Sequence, residues 1–338
     1  MQALVWQGGQ EFSMQSIPKP RAERGRVVVK VTAAAVCGSD FHLADFKEKA
    51  PLVPGHEVCG VIESCGADVL GLVPGDRVAL NPVQFCGTCG CCTKGLPHLC
   101  SAYRHLGAGG VQGGWAEYVA IDAVNAHRVP DGVDDIAACL LEPMAVCYES
   151  FTRAALQPDD TVLIIGDGTF GFLHAQIAAA RGVRRIIVAG HYDTRLKRIA
   201  AQVEMVPCNT HHEDLAERVR EITDGHGVDV AIEATGAGSS PNAGLKALRP
   251  RGTLVIFSYV WKPEPLAMGL IHMNELNVLG SCRSLGAFDP CLELLRTQKV
   301  NTRILADVIV PFDEWPVAVN RLARDKAQVF KAVFVPRQ

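Results

Sequence analysis

Four side chains with different chemistry fall within six positions of one another: Cys37, Ser39, Asp40 and His42. A cysteine thiolate binds zinc, and a hydroxyl two residues away is suited to passing a proton. Asp40 is suited to orienting another metal ligand through a hydrogen bond, and His42 to carrying the proton onward. Taken alone, the same residues also fit a polar turn after the apolar run 27–36. Their interpretation depends on the other ligand types in the chain.

Polar residues in two other segments supply candidate partners for Cys37. A glycine turn leads into His56 and Glu57 at the start of an apolar run, and His56 is the natural second ligand of a metal. Glu142 stands alone within the apolar stretch 137–146, where a carboxylate requires an ion pair, a cleft or a metal. We expect Cys37, His56 and Glu142 to hold one catalytic zinc ion. Helix capping is the alternative role of Glu142.

The densest cysteine cluster has the spacing C-x2-C-x2-C-x7-C and consists of Cys86, Cys89, Cys92 and Cys100. Four thiolates in an irregular, glycine-containing segment suit a closed tetrahedral zinc site, which has no open position for a substrate. We therefore predict a structural zinc that folds a lobe over residues 84–102. Disulfides and an iron–sulfur cluster are the alternatives. The adjacent Cys91 is expected to be a bystander.

The middle of the chain carries a glycine fingerprint between a strand and a helix. The fingerprint glycines and their two inner neighbours are Gly166, Gly168, Thr169, Phe170 and Gly171. They follow the apolar run 161–165 and precede a helical pattern over 172–181 and a second strand at 185–189. In this context G-x-G-x-x-G is typical of a dinucleotide site, where the pyrophosphate lies at the helix N-terminus. Further apolar runs predict that a parallel, doubly wound sheet continues through 229–234, 253–258 and 277–282.

The choice of cofactor depends on the end of the second strand. An acidic residue at that position holds the adenosine ribose and repels a 2′-phosphate, but Gly190 stands there in this chain. His191 and Arg195 offer donors or positive charge to a phosphate. These residues favour NADP over NAD. The alternative takes Asp193 as the acid, displaced by a longer loop, and Arg195 as a surface residue, which would restore NAD.

Composition excludes several classes of protein. The chain has 338 residues, 48% of them hydrophobic, and a net charge of −3, which fits two globular domains. The chain has no excess of basic residues that would suggest a nucleic acid partner. No apolar run reaches the roughly 20 residues that span a bilayer. The first residues do not read as an export signal, so we expect a cytoplasmic protein whose thirteen cysteines are reduced.

Together these motifs resemble the zinc-dependent medium-chain dehydrogenase/reductase family, which includes the alcohol and polyol dehydrogenases, over nearly the whole chain. The matching segments are 37–42, 55–57, the four cysteines and the Gly-Gly-x-Ala-Glu-Tyr run 113–118. The resemblance implies a GroES-like, β-rich catalytic domain over 1–146 and a Rossmann domain over 147–282. Residues 283–338 then return to the catalytic domain. It also implies a homodimer or homotetramer.

The resemblance further implies a site and a substrate class. Glu142 matches the glutamate ligand of the sorbitol- and threonine-dehydrogenase-like branch, which points to polyols, sugars or other secondary alcohols. Glu57 corresponds to an alternate zinc ligand, and Arg283 to a residue that contacts substrate in some polyol enzymes, with a salt bridge as its other role. The expected activity is hydride transfer between a secondary alcohol and NAD or NADP. An NADPH-dependent aldehyde or ketone reductase is the alternative, and a non-enzymatic relative is a further one.

The same resemblance suggests how the proton of the alcohol would leave. A zinc ion lowers the pKa of an alcohol that it binds, which favours hydride transfer near neutral pH. Ser39 would accept the proton and pass it towards His42. Asp40 would hold the ring of His56 in the tautomer that binds metal.

Overall fold

The structure is a computed structural model that describes residues 1–45, 48–259 and 262–337. The chain divides into two compact units. The first consists of Met1–Ala145 with Ser284–Gln338, and the second of Val146–Arg283. In the described parts of the chain, every helix is too short or too polar to cross a bilayer.

The bounds of the elements are as follows. The strands are β1 (Gln2–Gly8), β2 (Glu11–Ser16), β3 (Arg26–Ala35), β4 (Glu57–Cys65), β5 (Arg77–Leu80), β6 (Val83–Gln84), β7 (Arg104–His105), β8 (Tyr118–Asp122), β9 (Ala126–Arg128), β10 (Thr161–Ile165), β11 (Arg185–Gly190), β12 (Val206–Asn209), β13 (Val228–Glu233), β14 (Leu248–Ile256), β15 (Asn277–Gly280), β16 (Ala306–Pro311) and β17 (Lys331–Val335). The α-helices are α1 (Asp135–Cys139), α2 (Leu141–Arg153), α3 (Thr169–Ala180), α4 (Asp193–Ala200), α5 (Leu215–Ile222), α6 (Ser240–Ala247), α7 (Met268–Met273), α8 (Phe288–Arg296) and α9 (Trp315–Arg324).

The first unit is built around a sheet that contains strands from both ends of the chain. Its order is β16-β17-β3-β4-β5-β9, and β8 pairs with β3 outside this path. Strand β3 is rich in valine and alanine and is buried on both faces for most of its length. Apolar side chains of this sheet and of the loops around it form one core cluster. The β-rich character predicted for this part of the chain is confirmed.

A glycine-rich segment supports the loop that leads into β4. The backbone N–H groups of residues 113–115 donate to the carbonyl groups of residues 53–55 at 2.7–3.0 Å. Gly55 has a φ of 92°, and a Cβ atom there would lie 2.2 Å from Cδ1 of Trp115. Only glycine allows Trp115 to approach this closely. The Gly-Gly-x-Ala-Glu-Tyr run therefore fixes the position of the loop that precedes Glu57.

The second unit has a parallel sheet in the order β12-β11-β10-β13-β14-β15 within the described residues. From β10 the sheet continues through β11 and β12 on one side and through β13, β14 and β15 on the other. This is the order of a dinucleotide-binding Rossmann sheet. Strand β10 is buried along its whole length, as expected for a strand covered on both faces. The predicted doubly wound sheet is confirmed. The predicted strands 253–258 and 277–282 end earlier than expected, at Ile256 and Gly280.

Candidate functional site

A buried carboxylate joins the two loops that carry the candidate zinc ligands of the first unit. Asp40 lies in the short 3-10 helix Gly38–Phe41 and is 2% exposed. Its Oδ2 accepts the backbone N–H of Cys37 at 2.9 Å, and its Oδ1 accepts that of Gly55 at 3.3 Å. Oδ1 also lies 3.2 Å from Nδ1 of His56. Asp40 therefore sets the position of the loops and of the His56 ring together.

The structure brings three candidate ligands together. The ligand atoms of Cys37, His56 and Glu57 all lie within 4.8 Å of one another. Burial by itself would lower the pKa of His56, but Asp40 and Cys37 outweigh it, so the pKa lies well above its usual value. Because the contact with Asp40 engages Nδ1, Nε2 is the ring nitrogen left for a metal.

Lys331 enters the same region from the last strand. Its Nζ pairs with Oε1 of Glu57 and donates to the carbonyl of Val36 at 3.1 Å. Strands β17 and β4 flank β3, and Ala35 of β3 pairs with Glu57, so the sheet places the two charges side by side. Burial would lower the pKa of Lys331, but the charges of Glu57 and Cys37 raise it above its usual value. The ammonium group is therefore held in its charged form.

The residues of this metal pocket, defined as Cys37, Asp40, His56, Glu57 and Lys331, fit a cation. Glu57 is fully buried, and within the described chain its Oε2 has no hydrogen-bond partner. A buried carboxylate oxygen without a partner is costly. A metal ion held with Cys37 and His56 would satisfy it, and thiolate, imidazole and carboxylate together are ligands that zinc accepts.

Glu142, the predicted third ligand, lies near this group, and its binding of the metal stays a prediction. It lies in the first turn of α2 and is not a member of the group of mutually close ligand atoms. Part of the residue is exposed to solvent. Burial of its carboxyl raises the pKa to about 7, although the nearby charge of His56 acts to lower it. Its electrostatic link to His56 and Glu57 puts it in the same neighbourhood. In this geometry Glu57 is closer to the other ligands than Glu142.

The candidate proton carriers, Ser39 and His42, lie one and two positions from Asp40 in the chain. Ser39 is half-buried in the 3-10 helix, and its carbonyl accepts the backbone N–H of His42 at 3.0 Å. The His42 side chain is 48% exposed, and its Nδ1 lies 2.8 Å from Oδ2 of Asp45. His105 was not anticipated here. Its ring centroid lies 5.2 Å from that of His56, and its Nδ1 contacts the carbonyl of Leu106 at 2.9 Å.

The four cysteines of the lobe, defined as residues 84–102, converge on one point. The sulfur atoms of Cys86, Cys89, Cys92 and Cys100 lie within 4.8 Å of one another, whereas Cys91 is outside the group. Backbone N–H groups of Thr88 and Cys89 donate to Sγ of Cys86 at 3.4 and 3.3 Å, and the bonds to Cys86 lower its pKa to about 7. Comparable bonds lower the pKa of Cys89 to about 5. At Cys86 and Cys89 these contacts favour thiolates, which is the form that binds zinc, whereas burial raises the pKa of Cys92 to about 12.

The glycine fingerprint lies at the carboxyl end of β10. Gly166 follows the strand with a φ of 133°, and Gly168 is the N-cap residue of α3. Because glycine has no side chain, backbone N–H groups at the start of this 12-residue helix are open to approach by a phosphate. Thr169 and Phe170 form the first turn of α3, and Gly171 follows them. The loop therefore fits the pyrophosphate of a dinucleotide.

The strand-end residues have unexpected neighbours. A Cβ atom on Gly190 would lie 2.4 Å from Oδ2 of Asp167, so the position has no room for a side chain. Arg195, predicted to meet a phosphate, has its Nη1 3.6 Å from Oδ1 of Asp167. His191 contacts Thr210 Oγ1 through Nδ1 at 3.0 Å. A side chain at position 190 would therefore displace Asp167.

Arg283 is the last residue of the second unit. It follows β15, is half-buried and has a φ of 61°, in the left-handed region. Its predicted contact with substrate stays a prediction.

Known proteins match this chain at both units. The family pattern described as "Alcohol dehydrogenase GroES-like domain" matches residues 23–131, and the pattern described as "Zinc-binding dehydrogenase" matches residues 170–297. A sorbitol dehydrogenase of Halalkalibacterium halodurans is 33% identical over 335 residues, with 97% of each chain covered. This chain belongs to the zinc-dependent medium-chain alcohol and polyol dehydrogenase family. The predicted family and its GroES-like and Rossmann domains are confirmed.

Other relatives of the dehydrogenase support the same assignment. A probable D-xylulose reductase A of Aspergillus clavatus is 31% identical over 327 residues, covering 94% of this chain and 91% of the relative. A solved alcohol dehydrogenase of Escherichia coli CFT073, complexed with NADH, has a TM-score of 0.93 and 27% identity, covering 99% of both chains. A zinc-binding dehydrogenase of Sinorhizobium meliloti 1021, bound to NADP, has a TM-score of 0.91 and 25% identity, with the same coverage. Both cofactors therefore occur among structures with this fold.

Sequence reasoning missed three residues of the dehydrogenase's candidate sites. Lys331 is a single charged residue beside the apolar run 332–335. A lone charge in apolar sequence is the same pattern that predicted a role for Glu142. Asp167 is an acidic residue inside the glycine fingerprint, and this position is the pattern that could have identified it. His105 lies in an irregular segment with no periodic pattern, so its contact with His56 required the fold.

Proposed function

We propose that this dehydrogenase oxidises a secondary hydroxyl group of a polyol, sugar alcohol or related sugar derivative, with transfer of the hydride to a nicotinamide cofactor. The observation that carries the proposal is the buried metal pocket, in which Cys37, His56 and Glu57 present ligand atoms within 4.8 Å of one another. The names of the relatives, sorbitol dehydrogenase, D-arabinitol dehydrogenase 1 and D-xylulose reductase A, support polyols as the substrate class.

The pocket residues have distinct roles in this proposal. Cys37 and His56 would hold the catalytic zinc together with Glu142 or Glu57. When bound, zinc is a Lewis acid that lowers the pKa of the substrate hydroxyl. Asp40 contacts Nδ1 of His56, so Nε2 would be the nitrogen that holds a metal, and Asp40 ties the Cys37 loop to the His56 loop. Lys331 binds one oxygen of Glu57.

The proton of the substrate hydroxyl leaves through side chains of the same loop. Ser39 accepts it, and His42 passes it to solvent. The half-exposed ring of His42 and its contact with Asp45 support a role at the outer end of this route. Arg283 contacts the substrate in this proposal.

The cysteine lobe holds a second, structural zinc through its four sulfur atoms. The N–H donors to those sulfur atoms support thiolate ligands in a closed site. The first unit, predicted as 1–146 with 283–338, is the catalytic domain, and the second, predicted as 147–282, binds the cofactor at residues 166–171. Gly190, His191 and Arg195 lie beside that loop, where the ion pair between Arg195 and Asp167 weakens the sequence argument for NADP.

The protein is proposed to be a cytoplasmic homodimer or homotetramer. Within the described residues, β15 forms the edge of the parallel sheet, and an unpaired strand edge is suited to pairing with a second copy. Light scattering coupled to size exclusion would give the number of subunits. A monomer at micromolar concentration would contradict the proposal.

The test is turnover of purified, zinc-replete protein with polyols, sugars, hydroxy acids and simple secondary alcohols, each with NAD and with NADP. We expect absorbance of the reduced cofactor to rise with a polyol or sugar alcohol, and the reverse reaction to proceed with the matching ketose. Removal of metal by dipicolinate should abolish turnover, and added zinc should restore it. Absence of turnover in both directions, with zinc present and cofactor bound, would overturn the proposed function.

A further inference from the structure

The end of β11 lacks an acidic side chain, but it does not lack a carboxylate. A Cβ atom on Gly190 would lie 2.4 Å from both Cβ and Oδ2 of Asp167, and 2.5 Å from its Cγ. The carboxyl of Asp167 therefore occupies the space beside the strand end, having reached it from the neighbouring glycine fingerprint. In dinucleotide sites this is the region in which an acid accepts the ribose hydroxyls.

Asp167 also engages the backbone donors of this region. Its Oδ2 accepts the N–H groups of His191 and Tyr192, each at 2.7 Å. Two adjacent N–H groups form a natural site for a phosphate oxygen. Here they are directed at a carboxylate, and a 2′-phosphate brought to them would meet a like charge.

The nearby cation is also paired. Nη1 of Arg195 lies 3.6 Å from Oδ1 of Asp167, and the arginine side chain is 15% exposed. A guanidinium that faces a buried carboxylate at this distance has part of its charge compensated within the protein. Arg195, which favours NADP in the sequence, is thus paired with Asp167, whose charge opposes a 2′-phosphate.

We propose that Asp167 replaces the missing strand-end acid and makes this dehydrogenase prefer NAD over NADP. The inference rests on the proposed function, because it assumes a nicotinamide dinucleotide at the glycine loop. The other acid of this segment, Asp193, is exposed, and its Oδ1 accepts a hydrogen bond from Nδ2 of Asn209 at 2.5 Å. It is therefore the matched control.

Isothermal titration calorimetry of the full chain without substrate tests the inference through dissociation constants of NAD and NADP. We expect the unaltered protein to bind NAD at least about tenfold more tightly, which corresponds to about 1.4 kcal/mol. Asp167→Asn retains an oxygen for the two N–H groups but removes the charge, so the preference should shift towards NADP by about tenfold. Asp193→Asn should leave the ratio unchanged.

Each other outcome has a defined meaning. Equal or tighter binding of NADP by the unaltered protein would overturn the inference, even if the Asp167→Asn variant failed to fold. An unchanged ratio in a folded Asp167→Asn variant, or a shift in Asp193→Asn, would also overturn it. Polyol turnover with NADP as the better cofactor would leave the proposed function intact and overturn only this inference. Absence of binding of both nucleotides would overturn both.

Discussion

The two candidate zinc sites differ in how far their residues are spread along the chain. In the cysteine lobe, all four ligands lie within residues 86–100, and N–H groups of the same segment donate to their sulfur atoms. In the metal pocket, Cys37 and His56 come from two loops, and Lys331 is 274 positions from the glutamate that it binds. The lobe is a local structure, whereas the pocket depends on the whole sheet of the first unit.

The difference also appears in the electrostatics of the two sites. The lobe lowers the pKa of Cys86 and Cys89 through short-range N–H donors, in a partly exposed segment. The pocket instead balances buried charges, with Asp40 beside His56 and Lys331 beside Glu57. Local backbone geometry is sufficient for the first arrangement. The second requires that both members of each charged pair are present.

The largest effect is expected from a change in the lobe. Cys89→Ser should remove one zinc ion per chain and lower the midpoint of thermal unfolding by several degrees, because a structural metal contributes folding free energy. Metal analysis and calorimetry measure both quantities. Cys91→Ser is the matched control, since Cys91 lies outside the four-cysteine group. Equal losses in the two variants would contradict the lobe assignment.

A change in the pocket should separate chemistry from folding. Cys37→Ser should lower kcat/KM by about a thousandfold or more, since metal catalysis supplies several kcal/mol, while folding and cofactor binding are retained. Kinetics, zinc content and calorimetric titration with cofactor give the three readouts. Cys65→Ser, on β4 outside the pocket, should keep full activity. Undiminished zinc in Cys37→Ser would show that this residue is not a ligand.

The dependence of the pocket on distant residues is tested at Lys331. Lys331→Met leaves the buried carboxylate of Glu57 without its partner, which typically costs about 3 kcal/mol or more of unfolding free energy. Denaturant unfolding at fixed zinc concentration measures this loss. Adding Glu57→Gln to the same chain removes the unpaired charge and should recover part of the stability. A double variant as unstable as the sum of both single variants would mean that the pair is not coupled.

The smallest expected effect concerns a buried histidine that has no acidic partner among the residues that the structure describes. His174 is fully buried in α3, its Nδ1 bonds the carbonyl of Phe170 at 2.7 Å, and burial lowers its pKa to about 4. The unfolded chain takes up this proton more readily, so the contribution of His174 to stability falls as the pH drops from about 7 towards 4.

Between pH 7 and pH 5 this contribution should decrease by about 2 kcal/mol. Parallel unfolding curves of the unaltered protein and His174→Asn at both pH values isolate it, because the other titrating groups are common to both. An identical pH dependence would mean that His174 takes up its proton as readily in the folded chain as in the unfolded chain. His56, whose pKa is raised by Asp40, shows the opposite effect of an acidic neighbour.

The sequence predicted local features well and distant pairings poorly. The strand, glycine loop and helix over 161–180 follow from hydrophobic runs and glycine spacing, and the four cysteines follow from their spacing alone. The sequence suggested Glu142 before Glu57, because an isolated carboxylate in an apolar run is visible in one dimension. The partner of Glu57 is not visible in that way, because only strand order places Lys331 beside it.

The contact between Asp167 and Gly190 was hidden for a related reason. The sequence shows that β11 does not end in an acidic residue. It does not show that the side chain of Asp167, in the loop after β10, fills the space beside Gly190. Two residues 23 positions apart compensate for each other through packing, which no periodic pattern records. Under our proposal, the cofactor preference of this protein is set by two neighbouring loops together.

Strand β17 has a consequence for biosynthesis. It pairs with β3, where Phe334 lies opposite Ala34, and it carries Lys331 to the pocket. During translation, β3 leaves the ribosome some three hundred residues before this partner exists. Until β17 has been synthesised, the sheet of the first unit lacks one of its strands and Glu57 lacks its ammonium partner, so the metal pocket cannot form in its final state. A chain without β17 would lack the strand and the ammonium group together.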